Sequence, residues 1–263
     1  MIRKVKVDCH EPLNMEFEYE LKNLQIFVGP NGSGKSFIQL VYWYLYLILG
    51  VLTRLPPQAL TVDNARAFAN KIAKYTFRKD VDITITFLNE YNEEYSVSIR
   101  KEGDDIDVQF ELNEGWLEVF KGVSRQFFKG VPIYLSRDVR QFTAIEAYLR
   151  IKSLVGINTD DPDFWTKVEN EEKLEKICEI YPLYDVIAME KIILNFKRFN
   201  QGELKEEFNV MKSIDSSFAN FIPQRIEIEN NTVIGVYDNG ERKNLAYESA
   251  GMQALLIIAL ATL

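Results

Sequence analysis

Eight consecutive residues, Gly29-Pro30-Asn31-Gly32-Ser33-Gly34-Lys35-Ser36, carry the clearest chemistry in the chain. A glycine, four free positions and then Gly-Lys-Ser is the spacing of a phosphate-binding loop. Phosphate groups need many donors at short range, and backbone N–H groups supply them only where the chain comes very close. Gly29, Gly32 and Gly34 remove the side chains that would block that approach and permit positive φ. A helix starting near Lys35 adds its N-terminal partial charge and its unpaired N–H groups. Lys35, the candidate catalytic residue, can reach the β- and γ-phosphates of a nucleotide such as ATP, and Ser36 can offer a hydroxyl to Mg²⁺. Pro30, Asn31, Ser33 and Phe37 complete the candidate contact set. The motif points to nucleotide binding and does not by itself choose a reaction.

Such a loop needs a strand before it and a helix after it. Residues 24–28, Leu-Gln-Ile-Phe-Val, read as a short buried strand, and Phe37–Leu52 as an apolar helix. That helix is nearly long enough to span a bilayer. It begins at a nucleotide loop that must sit in water, it is rich in Tyr, and it is interrupted at Gln39 and Gly50. A core helix is therefore expected, and no membrane span.

A second site-like stretch is Tyr247-Glu248-Ser249-Ala250-Gly251-Met252-Gln253, ahead of an apolar helix from Ala254 to Leu263. Ser249 is a good helix cap. A serine hydroxyl beside small residues at a helix N-terminus is also an anion site. Alone, the capped helix is the simpler reading; a phosphate loop in the same chain tips the balance toward the second.

The elements that must position these residues follow from periodicity. Ile2–Val7 and Asn14–Tyr19 read as a hairpin, with Cys9-His10-Glu11-Pro12 as its connection and His10, the single histidine, on the surface. Asp63–Tyr75 reads as a helix capped by Asp63. Val81–Phe87, Tyr95–Ile99 and Ile106–Phe110 alternate with period two, an antiparallel meander with one wet face. Val131–Leu135 reads as a short strand leading to Ser136-Arg137-Asp138-Val139-Arg140-Gln141. From Ala144 to about Asn220 the chain reads as helical, with breaks near Gln201-Gly202. Arg225–Ile228, Thr232–Tyr237 and Arg242–Leu245 read as a small meander with turns at Asn230-Asn231 and Asp238-Asn239-Gly240.

Composition narrows the class. The 263 residues are 47% hydrophobic and 27% charged, enough apolar material for a real core. A net charge of −8 argues against a surface broadly adapted to nucleic acid and leaves room only for a local basic groove. Cys9 and Cys178 have no metal or disulfide spacing, which suits a reducing cytoplasm, and the N-terminus lacks the apolar stretch of a signal peptide.

Taken in order, Gly29 to Ser36, a β-meander, a helical region, an Asp-Asn-Gly hairpin and Glu-Ser-Ala-Gly-Met-Gln resemble an ABC-type ATPase. The likeness is to the soluble, non-transporter ATPases of the SMC/RecF/OLD-like group, often labelled predicted AAA ATPases. Ser249 and Gly251 match the Ser-Gly-Gly of the family signature; Ala250 stands for its first glycine and Met252 for the usual Gln or Glu. The resemblance implies an α/β fold of the P-loop NTPase, ABC ATPase-like type, with an antiparallel β-meander and an inserted helical lobe. It divides the chain into a P-loop half with the β subdomain (1–141), a helical lobe (142–222) and a hairpin with the signature helix (223–263). It also implies ATP and Mg²⁺ as ligands, and a dimer clamping ATP between the loop of one chain and Ser249 of the other. Gln141 would be the glutamine contacting Mg²⁺ or water, with a plain surface glutamine as the equal alternative. The family's Walker B acids should follow the signature helix. None follows Leu263, and Asp138, with Arg137 intervening, is a poor substitute. The expectation is a truncated chain, a split protein completed by a second chain, or a degenerate member.

Three functions remain open on these residues. The leading one is a motor or switch ATPase head, by analogy in genome maintenance or defence. The others are a nucleotide-binding module without turnover and a small-molecule kinase.

Overall fold

Alternation of apolar and charged residues in Met15-Glu16-Phe17-Glu18-Tyr19-Glu20 sorts a strand into two faces. In the computed structural model this stretch is β2 (Met15–Glu20), paired antiparallel with β1 (Ile2–Glu11). Val5, Val7 and Cys9 of β1 are buried, whereas Lys4 and Lys6 pair with Glu18 and Glu16 on the wet face. The structure describes residues 2–20, 26–52, 61–89, 94–111, 133–157, 171–203, 206, 208–209, 213 and 222–262. The chain divides into two units, Met1–Pro132 and Ile133–Leu263.

In the first unit the hairpin continues into β3 (Val81–Asn89), β4 (Glu94–Glu102) and β5 (Asp105–Glu111). The five strands form one antiparallel sheet in the order β2-β1-β3-β4-β5. Each of these strands is legible in the sequence. Their union is not, because β1 and β3 are separated by the loop and two helices. Val81, Ile83, Ile85 and Phe87 alternate into the core and Val97, Ile99, Val108 and Phe110 extend it.

Helix α1 (Lys35–Leu52) buries Val41, Tyr44, Leu45 and Ile48 completely. The hydroxyl of Tyr44 donates to the carbonyl of Ala69 in α2 (Val62–Thr76) at 3.0 Å, and its ring lies 5.2 Å from that of Phe77. Among the described residues no helix is long and apolar enough to cross a membrane. In α2 the small residues Ala65, Ala69 and Ala73 face inward. The cap of α2 is Thr61, whose hydroxyl accepts from Asn64 N–H at 3.2 Å, and not Asp63, which sits in the first turn.

Three expectations on local structure are corrected. Cys9, His10 and Glu11 belong to β1 and not to the connection, which shrinks to Pro12–Asn14. Residues 26–28 are not a buried strand: no ladder pairs them, and Ile26 and Val28 are 77% and 90% exposed. Residues 24 and 25 lie outside the described residues. An apolar run becomes a strand only where a neighbour offers its N–H and C=O groups. Residues 133–136 are likewise irregular, with residues 131 and 132 outside the described residues. Tyr134 is anchored there by an edge contact with Tyr184, 5.1 Å between ring centres, and not by a ladder.

In the second unit the described residues include helices and a three-stranded sheet. The helices are α3 (Phe142–Val155), α4 (Glu171–Ile180), α5 (Leu183–Asn200) and α6 (Ala250–Thr262). The strands are β6 (Arg225–Glu229), β7 (Thr232–Val236) and β8 (Arg242–Asn244), in that order. Asn230 and Asn231, both at positive φ, make the β6–β7 turn, and Gly240 at φ +80 serves the next. Of the stretch expected to be helical from Ala144 to about Asn220, residues 158–170 lie outside the described set, and after Glu203 only residues 206, 208, 209 and 213 are described, all helical.

Polar side chains tie these elements together. The Glu146 carboxylate in α3 accepts from Val233 N–H at 2.9 Å. Asn195 in α5 donates to the carbonyl of Leu260 in α6. Asn200 donates to Ile226 C=O at 2.6 Å and accepts from Ile226 N–H at 2.8 Å, closing the outer edge of β6 as a strand would. Between α3 and α5, Glu190 accepts from the Tyr148 hydroxyl and binds Lys152 at 2.9 Å. Burial first, then the Glu190 carboxylate, push the Tyr148 phenol well above its usual range, so it stays a neutral donor.

Asn200→Ala should remove both partners of Ile226 and cost about 2–3 kcal/mol in urea denaturation, because two backbone groups lose their bonds together. A loss under ~0.5 kcal/mol would mean that water serves this strand edge equally well.

Candidate functional site

The phosphate-loop residues come together in the first unit as a tight turn into α1. Gly32 and Gly34 hold φ +82 and +78, a region that costs any side-chain-bearing residue about 1–2 kcal/mol. At Gly32 the demand is conformational only, since an added β-carbon would meet nothing within 4 Å. At Gly34 it is also steric: a β-carbon would lie 2.8 Å from Leu13 Cδ1 and 3.2 Å from Phe17 Cζ. The two glycines are thus needed for different reasons.

Lys35 folds over its own loop. Its Nζ donates to the carbonyls of Gly29 (2.7 Å) and Pro30 (2.6 Å) and to the Ser33 hydroxyl (3.2 Å). Ser33 N–H closes the turn on Pro30 C=O at 3.3 Å. A single ammonium therefore serves as the hub of the loop. The first intrahelical bond of α1 runs from Ile38 N–H to Gly34 C=O at 2.9 Å, so the N–H groups of Lys35, Ser36 and Phe37 precede the helical ladder. Pro30, Asn31 and Ser36 are exposed and Phe37 is half-buried. The arrangement sets one positive charge beside the N-terminus of a helix, the two features that attract an anion.

Ser249, Gly251 and Gln141 lie in the second unit. The Ser249 hydroxyl accepts from Met252 N–H at 3.4 Å, and its carbonyl accepts from Gln253 N–H at 3.0 Å, so it caps α6. The helix starts at Ala250, four residues before the expected Ala254. Ser249 and Gly251 are exposed, and a β-carbon on Gly251 would touch nothing within 4 Å. Gln141 is exposed, and its side-chain Oε1 accepts from the Thr143 hydroxyl at 3.4 Å. Asp138 lies exposed in a 3-10 turn (Asp138–Arg140), where the Arg140 guanidinium donates to Leu135 C=O at 3.1 Å. Among the described residues no cluster of three or more His, Cys, Asp or Glu could hold a metal ion.

One residue near these has a role that sequence reasoning missed. Gln253 is buried; its Oε1 accepts from Phe142 N–H at 2.9 Å, and its Nε2 donates to Ala246 C=O (3.0 Å) and Glu248 C=O (2.7 Å). It locks the segment before Ser249 to the first residue of α3, next to Gln141. The available signal was a lone amide in the apolar stretch Ala250–Leu263.

Two substitutions separate fold from function here. Gly251→Ala should raise the thermal stability of the chain by up to about 1 kcal/mol, since a helical glycine with free space gains from a methyl group. A fall would show that the backbone itself needs the glycine. Gln253→Ala should cost about 2–3 kcal/mol by leaving three backbone groups without their partner; an unchanged melting point would contradict that role.

No protein-family model and no curated protein sequence matches this chain.

Proposed function

We propose that this chain is the nucleotide-binding head of an ABC/SMC-like P-loop ATPase, taking ATP with Mg²⁺. The observation that carries the reading is the loop itself: two left-handed glycines in the positions the motif requires, and Lys35 Nζ held within 2.7 Å of two loop carbonyls. A chance glycine turn has no reason to gather its carbonyls around a lysine or to deliver the chain into a helix N-terminus. A triphosphate fits this arrangement because its charge would draw the ammonium off the carbonyls while the N–H row takes its oxygens. In this reading Ser36, exposed at the start of α1, would ligate through its hydroxyl the Mg²⁺ that accompanies a triphosphate. In the dimeric form of this reading, Ser249 and the exposed N-terminus of α6 face the γ-phosphate of a second copy, or of a chain that supplies the Walker B acids. The free space at Gly251 supports that part, because close approach by a partner is a reason for glycine that the fold does not supply.

Titration calorimetry with MgATP tests the reading. Lys35→Ala should weaken binding roughly ten- to a hundredfold, the worth of a charge-assisted bond of about 1.5–3 kcal/mol. No binding by the unaltered chain, or equal binding by Lys35→Ala, would overturn it. Ser249→Ala should leave that affinity unchanged and reduce ATP-dependent self-association in sedimentation. Phosphate release in the same samples distinguishes a hydrolase from a binding module, and phosphate transfer to a metabolite would favour a kinase.

A further inference from the structure

We propose that the apolar face of the β1–β2 hairpin is the platform that positions the phosphate loop, with Leu13, Met15, Phe17 and Tyr19 as its positioning residues. This rests on the nucleotide reading above and adds the device that keeps the loop in shape.

Met15, Phe17 and Tyr19 alternate along β2 and so share one face, while Glu16 and Glu18 pair with lysines on the other. That shared face meets the loop at both ends. At the far end, the β-carbon position of Gly34 lies 2.8 Å from Leu13 Cδ1, 3.2 Å from Phe17 Cζ and 4.0 Å from Met15 Sδ. At the near end, the Tyr19 ring meets Phe27 edge-on, 5.6 Å between centres and 83° between planes, two residues before Gly29. The strand thus grips the chain on either side of the turn that would hold the phosphates.

The loop needs such a grip for a physical reason. Its curvature rests on Lys35, whose ammonium binds Gly29 C=O, Pro30 C=O and Ser33. When that ammonium turns to a phosphate, those bonds are given up at the moment the loop must stay rigid. Contacts with β2 do not involve the ammonium and persist. They keep the N–H row pre-formed, so the ordering cost is met on folding and not on binding. The lack of a side chain at Gly34 is the other half of the device, since it lets the backbone settle on Leu13 and Phe17.

The test is titration calorimetry of the full chain with MgATP and with magnesium tripolyphosphate, which lacks base and sugar. Leu13→Ala should weaken both ligands by the same factor, roughly tenfold, and the volume-conserving Leu13→Met should restore both. Gly34→Ala should weaken binding by a smaller factor in the Leu13→Ala background than alone, because removing the Leu13 methyls opens the space its β-carbon takes. If Leu13→Ala does not fold, Leu13→Val carries the same measurement. Unchanged affinity for both ligands, loss confined to ATP, or independent effects of the two substitutions would each overturn the platform. If the unaltered chain binds neither ligand, the nucleotide reading falls and the platform with it. If Lys35→Ala abolishes binding but Leu13→Ala changes nothing, only the platform falls.

Discussion

The close approach of backbone to side chains at Gly34 is the constraint on which the first unit depends. An irregular loop has no ladder of its own, so it has little internal means of holding a shape. Here the shape comes from three sources of different kinds. Gly32 and Gly34 allow the left-handed turns, the Lys35 ammonium gathers the carbonyls, and the apolar side of the hairpin supplies a surface to lie on. The alternation of β2 makes the last possible, because a period of two lets one strand face water with its glutamates and the loop with its rings.

The second unit meets a different difficulty. Helices packed on a sheet of three short strands leave backbone groups at helix starts and strand edges without partners. Glu146, Asn195, Asn200 and Gln253 each reach such a group, and Asn200 reaches two on the same residue. Such bonds add modest net stability when made, but losing one leaves a desolvated group behind. They therefore select one arrangement of α3, α5 and α6 around the sheet more than they strengthen it. The exposed Ser249 cap is held by this network, through Gln253, and not by contacts of its own hydroxyl alone.

Much was legible from residue order. Both hairpins, the three-strand meander, the helix after the loop and its burial, and the turns at Asn230-Asn231 and Gly240 follow from period and turn chemistry. So did the positive φ of Gly32 and Gly34, whereas Gly29, grouped with them on sequence, does not adopt positive φ. The apolar residues 26–28 and 133–135 misled, since apolar character states a preference for burial and says nothing of which neighbour provides it. Thr61 outranked Asp63 as a cap because a shift of two positions decides which N–H groups the side chain can reach. Gln141 drew attention beside its arginines, while the buried Gln253 passed as part of a helix start; only burial distinguishes an amide that ties two elements from one that faces water.

Residue types and spacing by themselves determined a glycine turn leading into a helix, a mixed α/β chain with antiparallel strands, and an apolar C-terminal helix capped by Ser249, whose start was read four residues late. Each of these depends on neighbours within a few positions, where the covalent chain fixes the geometry. Tertiary structure alone decided that β1 joins β3 to make five strands one sheet, that Leu13 and Phe17 fill the space at Gly34, and that Gln253 holds the start of α3. Those contacts join residues from about 20 to more than 100 positions apart, and the free energy that selects them comes from burial and hydrogen-bond satisfaction in the folded chain, which no local pattern encodes.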